Sequence, residues 1–244
     1  MAPLTCAGRA LRFGPPLAAA AALAHLAPAA TWLPPVRARF PELAGRGRAG
    51  HVALTFDDGP HAEATPRMLD ALERLDVRAT FFLLGDRVAA LPDMAARIAA
   101  AGHEVATHGW DHRAPVRPWR DRADLRRALT ALAEVTGVQA AWYRPPYGVL
   151  TTTRLAAARA LRLRPVLWTA WGRDWRRRAT PTSITAEILT AADGGGTLLL
   201  HGSDAASPPG SWHATLAAVP EIVTGLRDRG LTIGPLRDHG VSPT

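Results

Sequence analysis

Two adjacent carboxylates, Asp57 and Asp58, end an apolar stretch and stand directly before Gly59-Pro60. The stretch Val52–Phe56 has the residue types of a buried strand, and a Gly-Pro pair ends regular structure. Neighbouring side chains at a strand end point in different directions, so one carboxylate can face a metal ion while the other faces a water molecule. For the pair alone, an Asp-Gly turn that caps a helix is the simpler interpretation.

Two histidines, His108 and His112, follow the predicted strand Glu104–Thr107. Spaced four apart on a helical turn, they would lie on one face and could bind one cation. With a strand-end aspartate they supply two nitrogens and one oxygen, the open ligand set of hydrolytic metal sites. Without that aspartate, the pair fits surface or core histidines better.

The stretch Arg144–Gly148 contains two consecutive prolines, which forbid ladder hydrogen bonds and predict an irregular loop. Such a rigid loop could hold the Tyr147 amide towards a developing oxyanion. Arg144 could pair with a catalytic carboxylate and keep it ionised. A rigid loop that carries a surface arginine is the alternative.

A lone histidine, His201, ends the apolar stretch Leu198–Leu200. A strand-end histidine becomes a general acid when a carboxylate binds its other nitrogen. Asp174, in the tryptophan-rich stretch Trp171–Trp175, is available for that contact.

Strand-like and helix-like stretches alternate along most of the chain. The predicted strands are Val52–Phe56, Ala79–Leu84, Glu104–Thr107, Trp142-Tyr143, Pro165–Trp168, Thr197–Leu200 and Leu231–Ile233. The predicted helices are Thr65–Leu75, Arg87–Ala101, Leu125–Thr136, Thr152–Leu161, Ser183–Ala192 and Leu216–Arg229. This alternation predicts parallel βα units, and the absence of a glycine-rich dinucleotide pattern favours a barrel over a doubly wound sheet.

The composition is that of a globular protein with an unusual basic balance. All 29 basic residues are arginine, and against 21 acids they give a net charge of +8. This charge favours anionic surroundings, either a membrane surface or an acidic envelope polymer. Nucleic acid is not expected as a partner, because the basic residues are not interleaved with aromatic ones. The single cysteine, Cys6, excludes an internal disulfide.

The first 33 residues resemble an export signal or signal anchor. Arg9 and Arg12 precede an uncharged, alanine-rich run from Phe13 to Leu33. We therefore expect a membrane-associated or extracellular protein, with a cytoplasmic alanine-rich extension as the alternative. An arginine- and proline-rich linker would follow, which divides the chain into an N-terminal segment, 1–50, and a folded domain, 51–244.

Five ordered motifs resemble those of the polysaccharide deacetylases, carbohydrate esterase family 4. They are Thr55–Pro60, the His108 and His112 pair, Arg144–Gly148, Asp174-Trp175 and Leu198–His201. The likeness extends from about residue 51 to about residue 236. It implies an α/β fold, a distorted (β/α)7 barrel of one domain, preceded here by the N-terminal apolar extension. It also implies a metal-dependent hydrolase that removes acetyl groups from N-acetylated sugars of a glycan.

The resemblance assigns catalytic roles by motif position. Asp57 would be the general base, oriented by Arg144. His201 would be the general acid that protonates the departing sugar nitrogen, held by Asp174. The Tyr147 amide would stabilise the oxyanion.

The resemblance also assigns the metal and the groove. Asp58, His108 and His112 would bind a divalent cation, with Zn²⁺ as the default and Co²⁺ or Ni²⁺ as alternatives for the same ligands. Tyr147 and Trp175 would contact a glycan or oligosaccharide substrate.

Three residues depart from the family pattern. Gly109 stands where a serine or threonine is usual, Trp171 where an aspartate is usual, and Gly202 where an aspartate is common. None of them removes a predicted ligand, base or acid. Two alternatives stay open: hydrolysis of a small non-sugar amide by the same residues, and an inactive carbohydrate-binding relative.

Overall fold

The computed structural model describes residues 14–241. Its strands are β1 (His51–Gly59), β2 (Thr80–Leu83), β3 (Glu104–Thr107), β4 (Trp142–Tyr143), β5 (Arg164–Pro165), β6 (Ala170–Trp171), β7 (Thr197–His201) and β8 (Thr232–Gly234). Its helices are α1 (Gly14–Leu26), α2 (Pro34–Arg37), α3 (Ala64–Arg74), α4 (Gly85–Ala90), α5 (Pro92–Ala100), α6 (Asp121–Thr136), α7 (Thr152–Ala160), α8 (Pro181–Ala191) and α9 (Trp212–Arg227).

Strand β1 is the centre of the sheet. It pairs in parallel with β2, β7 and β8, and every one of its residues is buried. A strand with neighbours on both sides and helices outside must be apolar on both faces, which explains the continuous run Val52–Phe56. The sheet order is β5-β4-β3-β2-β1-β7-β6, with β8 beside the start of β1.

One segment of the chain, residues 164–171, joins the two ends of this sheet. Its first part, β5, pairs with β4, and its last part, β6, pairs with β7. Between them, the Val166 amide donates to the Tyr143 carbonyl and the Thr169 amide donates to the Thr197 carbonyl, both at 2.9 Å. The segment therefore occupies one strand position of a curled, irregular barrel. The prediction of a distorted (β/α)7 barrel of one domain is confirmed.

The helices cover the outside of the sheet with the faces that their periodicity predicts. In α3 the buried side chains include Met68, Leu69 and Leu72, whose spacing places them on one face of the helix. Helix α6 ends at Gly137, whose φ of 69° is the left-handed conformation that glycine adopts most easily at a helix end.

Two predicted elements are wrong in detail. The predicted helix Arg87–Ala101 is two helices, α4 and α5, because Pro92 lacks an amide hydrogen and begins a new helix after Leu91, whose backbone is not helical. The predicted strand Pro165–Trp168 is displaced, since regular pairing stops at Pro165 and resumes at Ala170.

Residues 27–50, for which composition predicts an extension and linker, pack against the barrel. Thr31, Arg37 and Ala44 are buried in this segment. Its backbone also bonds to the barrel: the Gly47 amide donates to the Gly195 carbonyl at 3.0 Å, and the Leu167 amide donates to the Leu43 carbonyl at 2.6 Å. The segment thus contacts the strand that joins the two ends of the sheet.

The first 13 residues, with Cys6, Arg9 and Arg12 of the predicted basic flank, lie outside the described residues. Helix α1 covers part of the alanine-rich run, and its Ala24 carbonyl accepts a hydrogen bond from the Thr152 hydroxyl of α7 at 2.9 Å. Between residues 14 and 241, no helix has both the length and the apolar character that a bilayer crossing requires.

Candidate active site

The two adjacent carboxylates lie at the carboxyl end of β1, the edge at which barrel folds build their sites. Asp58 has a φ of 72°, so the chain turns sharply between the two side chains. Hydrogen bonds from the loop after β7 fix this turn: the Gly202 amide donates to the Asp57 carbonyl at 2.9 Å, and the Ser203 hydroxyl donates to the Asp58 carbonyl at 2.7 Å. A non-glycine residue in this conformation costs about 1–3 kcal/mol, which such contacts must offset.

Asp58, His108 and His112 form a cluster whose candidate ligand atoms all lie within 4.8 Å of one another. The Asp58 Oδ1 atom is 3.4 Å from His108 Nε2 and 3.5 Å from His112 Nε2. The expected helical turn is absent, since residues 108–112 form an irregular loop after β3. The predicted cluster therefore forms, but through loop geometry and not through helical spacing.

The polar atoms of this cluster fit a divalent cation. His108 Nδ1 lies 2.8 Å from the Arg144 carbonyl, which can only accept, so Nδ1 carries a proton and Nε2 is the ring nitrogen that faces Asp58. Asp58 is fully buried, and among the described residues neither of its carboxylate oxygens has a hydrogen-bond donor. A buried carboxylate without partners is costly, and a cation held by two imidazoles and one carboxylate would satisfy it.

The protonation states suit metal binding. Burial alone would raise the pKa of Asp58, but the contact with His108 and the charge of His201 outweigh burial and hold this pKa below its ordinary value. Burial, together with nearby His108, lowers the pKa of His112 to about 4. At neutral pH Asp58 is therefore an anion and His112 is neutral, as metal ligands must be.

Asp57 is bound by a fully buried arginine. Arg144 Nη1 donates to Asp57 Oδ1 at 2.7 Å and to the Thr55 hydroxyl at 2.8 Å. Its Nη2 donates to the Leu167 carbonyl at 2.8 Å, and its guanidinium lies over the Phe82 ring at 4.0 Å. These contacts fix the Asp57 carboxylate and leave its Oδ2 atom without a partner from Arg144.

Asp174 binds His201 twice. It accepts from the His201 amide and from His201 Nδ1, both at 2.7 Å, and from the Thr215 hydroxyl at 2.8 Å. Burial by itself would lower the pKa of His201, but the Asp174 carboxylate outweighs burial and raises this pKa to about 10. His201 is therefore protonated at neutral pH, and its Nε2 atom is the one not engaged by Asp174.

The carboxylate and the imidazolium lie side by side. Asp57 and His201 are direct partners in the pairing of β1 with β7. A buried carboxylate with a free oxygen, a protonated imidazole and a cation site at one strand edge can together activate water and protonate a leaving group. The arrangement therefore suits hydrolysis.

Two aromatic side chains border this site. The Tyr147 ring packs edge-on against the His112 ring, with centroids 4.3 Å apart, and 52% of Tyr147 is exposed. Its φ of 61° places the residue in a tight left-handed turn. Trp175, next to Asp174, is 40% exposed. Both predicted groove residues thus present aromatic surface to solvent beside the cluster.

The departures from the family pattern have local structural reasons at two positions. Gly109 has a φ of 96°, a conformation that serine and threonine rarely adopt, so the loop is built for glycine. Its amide donates to the Thr107 hydroxyl at 3.1 Å. The Trp171 ring stacks on the buried Trp168 ring at 5.6 Å, so this departure extends the aromatic core.

The sequence analysis missed several residues of the site. Ser203 and Thr215 each bind a motif residue, Thr55 of the first motif binds Arg144, and Trp32 lies against Trp171. Single hydroxyl residues carry no pattern that distinguishes them, so no sequence signal identifies Ser203, Thr215 or the contact of Thr55. Trp32 stands in a segment that composition marks as an extension.

A family model described as polysaccharide deacetylase matches residues 44–166. Among curated relatives, a peptidoglycan-N-acetylglucosamine deacetylase of Bacillus cereus is 33% identical over 181 residues, which are 73% of this chain and 64% of that protein. The chain therefore spans just under two thirds of that relative. A chitooligosaccharide deacetylase of a Bradyrhizobium species is 36% identical over 199 residues, 76% of this chain and 88% of the relative.

Solved structures give the same family. A peptidoglycan N-acetylglucosamine deacetylase in complex with a hydroxamate-type benzamide superposes with a TM-score of 0.74 at 30% identity, over 81% of this chain and 92% of that one. A protein from Bacillus anthracis described as a family 4 pseudoenzyme superposes with a TM-score of 0.72 at 25% identity, over 81% of this chain and 68% of that one.

Substitutions at the two carboxylates should separate metal binding from base chemistry. We expect Asp58→Asn to weaken Zn²⁺ binding by more than about 100-fold, because it removes the only anionic oxygen of the cluster. Asp57→Asn should leave Zn²⁺ affinity within a few-fold, since Arg144 and not the cluster binds it. Calorimetric titration of each metal-stripped variant measures both. Equal Zn²⁺ affinities in the two variants would refute the assignment of Asp58 to the metal and Asp57 to base chemistry.

Removal of the buried guanidinium should destabilise the whole barrel. We expect Arg144→Met to lower the free energy of unfolding by about 3–5 kcal/mol, because Asp57 would be left buried without its counter-charge. The double variant Arg144→Met/Asp57→Asn should recover part of the loss, since the uncompensated charge is gone. Urea unfolding followed by circular dichroism measures the cycle, and no recovery would show that the pair is not the cause.

Proposed function

Since this chain belongs to the polysaccharide deacetylase family, we propose that it is a metal-dependent hydrolase that removes acetyl groups from N-acetylated sugars of a glycan. The observation that carries the proposal is the convergence of three groups at one strand edge. They are the Asp57–Arg144 pair, the cluster of Asp58 with two histidines, and the His201–Asp174 pair.

A divalent cation bound by Asp58, His108 and His112 would supply Lewis acidity towards the acetyl carbonyl and lower the pKa of a water molecule. We propose Zn²⁺, because two neutral imidazoles and one carboxylate form the ligand set of catalytic zinc sites. Co²⁺ and Ni²⁺ suit the same ligands.

The chain's own residues divide the proton transfers. Asp57 accepts the proton of the attacking water at Oδ2, while Arg144 keeps the carboxylate ionised and oriented through Oδ1. His201 donates from Nε2 to the sugar nitrogen, which is a poor leaving group until it is protonated. Asp174 keeps the imidazole charged and fixed in orientation. The Tyr147 amide faces the developing oxyanion.

The proposed substrate class is an envelope glycan or chitin-like oligomer that contains N-acetylglucosamine. It is supported by the names of the relatives and by the exposed rings of Tyr147 and Trp175, whose faces suit the C–H surfaces of sugars. The net charge of +8 suits an anionic envelope or membrane surface. A membrane-associated or extracellular location stays a prediction, which amino-terminal sequencing of the mature protein can test.

The competing candidate is an inactive carbohydrate-binding relative. A pseudoenzyme among the structural neighbours supports this alternative. Against it, every residue that the motifs assign to base, acid and ligand roles is present in this chain. A second enzymatic candidate, hydrolysis of a small amide, uses the same residues and is distinguished by substrate preference.

Release of acetate from N-acetylglucosamine oligomers tests the proposal. We expect release with Zn²⁺, loss on chelation, and a fall in kcat of about 10²–10⁴-fold in Asp57→Asn, because the general base is lost. Asp228→Asn, an exposed residue at the end of α9, is the matched control and should keep full activity. Acetate release that survives chelation or the Asp57 substitution contradicts the mechanism, and preference for small amides contradicts the substrate class.

The pH dependence of kcat/KM should show the effect of the Asp174 carboxylate on the pKa of His201. A raised pKa keeps the general acid protonated at neutral pH, and activity should fall only as pH rises towards about 10. In Asp174→Asn, the strongest influence that opposes burial is lost, so the pKa of His201 should fall and the alkaline limb of kcat/KM should move to lower pH. Activity at pH 8 should then fall, because less of His201 is protonated. Thr215→Val removes one hydrogen bond but keeps the carboxylate, and should leave the limb nearly in place. An unmoved limb in Asp174→Asn excludes His201 as the acid.

A further inference from the structure

Three tryptophans, Trp32, Trp171 and Trp175, form a continuous aromatic rim that begins at the candidate site and ends on the N-terminal segment. We propose that this aromatic rim is a glycan-binding subsite for sugar units beyond the one whose acetyl group is removed. The proposal rests on the proposed function and extends it. Trp32 is the decisive residue, because neither the motifs nor the relatives' names assign it any role.

The rings succeed one another at nearly equal steps. Trp175 and Trp171 have centroids 6.5 Å apart, and Trp171 and Trp32 have centroids 6.4 Å apart in an edge-on arrangement. The two end rings are open to solvent, with 40% of Trp175 and 45% of Trp32 exposed, and Trp171 is half-buried between them. A ligand that follows the rim would meet an aromatic surface at each step.

The aromatic rim joins the candidate site at its Trp175 end. Trp175 directly follows Asp174, which binds His201. The other end, Trp32, lies near the turn that follows Tyr147: a methyl group placed on Gly148 would lie 3.5 Å from the Trp32 ring. The rim therefore extends from the proposed acid to the N-terminal segment.

Trp32 is fixed in this position before any ligand arrives. The Arg37 guanidinium, on the same segment, lies over the buried Trp168 ring at 5.2 Å, and Trp168 stacks beneath Trp171. Arg37 Nη1 also donates to the Trp32 carbonyl at 3.4 Å. A surface held in its binding geometry loses little conformational entropy on association, so these contacts favour affinity.

Sugars are the ligand class that this surface suits. Indole faces match the apolar C–H faces of pyranose rings, and sugar hydroxyls need nearby polar groups. Two guanidinium groups lie near these rings, Arg173 at 5.2 Å from the centre of Trp171 and Arg176 at 5.8 Å from the centre of Trp175. Each pairs with Glu187 through one nitrogen, and the other nitrogens carry further donors. Trp171 itself stands where the family motif usually has an aspartate, so the residue that Trp32 contacts departs from the family pattern.

Binding of N-acetylglucosamine oligomers, from dimer to hexamer, tests the subsite by calorimetry. All variants carry Asp57→Asn in the full, Zn²⁺-loaded chain to prevent turnover. We expect Trp32→Ala to weaken hexamer binding about tenfold and to change dimer binding less than about twofold, because only long ligands reach the far ring. Trp32→Tyr should retain most of the affinity.

Phe40→Ala is the matched control. Phe40 is an aromatic residue of the same segment, 51% exposed, and it lines a different cavity together with Leu43 and Leu163. We expect it to bind every oligomer as the parent does. Equal hexamer affinity in Trp32→Ala and its parent would overturn the proposal, as would an equal loss in Phe40→Ala or a parent that binds no oligomer.

Acetate release by the chain without the Asp57 substitution separates the two proposals. If no acetate is released but hexamer binding depends on Trp32, the proposed subsite is supported and the proposed deacetylase activity is refuted. If acetate is released with the same dependence on oligomer length in Trp32→Ala and in its parent, the proposed activity is supported and the proposed subsite is refuted.

Discussion

The buried guanidinium of Arg144 is the constraint on which the rest of the structure depends. A charged group taken out of water must satisfy its donors within the protein, and here they bind β1 and the carbonyls of Val166 and Leu167. Those carbonyls belong to the segment that joins the two ends of the sheet. The interaction that orients the Asp57 carboxylate is therefore the same one that helps to close the barrel, so fold and site cannot be altered independently.

The sequence predicts most of the fold and the candidate cluster because both follow from local patterns. Short apolar runs identify β1 and β3, and strand ends identify where Asp57, His108 and His201 must meet. Parallel strands bring their carboxyl ends to one edge, which places residues far apart in sequence within a few ångströms. The helical spacing assumed for the two histidines is wrong, yet the cluster forms, because strand position and not helix periodicity brings them together.

The features that the sequence does not predict depend on tertiary contacts, which leave no local pattern in the sequence. The split of one strand position into β5 and β6 follows from which neighbours are in reach, not from residue type. The role of Thr215 exists only because α9 passes beside Asp174. The sequence places Trp32 in the uncharged, alanine-rich run of the N-terminal segment, and only its packing against Trp171 shows that this segment completes the surface of the barrel.

The left-handed backbone at Asp58 and Tyr147 limits how this protein could be engineered for heat resistance. Glycine relieves such strain, but at these two positions it would delete side chains that the site uses. The same conformation occurs at Asp76 and Arg162, which follow the ends of α3 and α7 on the outside of the barrel. Substitutions that raise thermal stability can therefore be sought at Asp76 and Arg162. The strained backbone at Asp58 and Tyr147 must be kept, because the site needs their side chains.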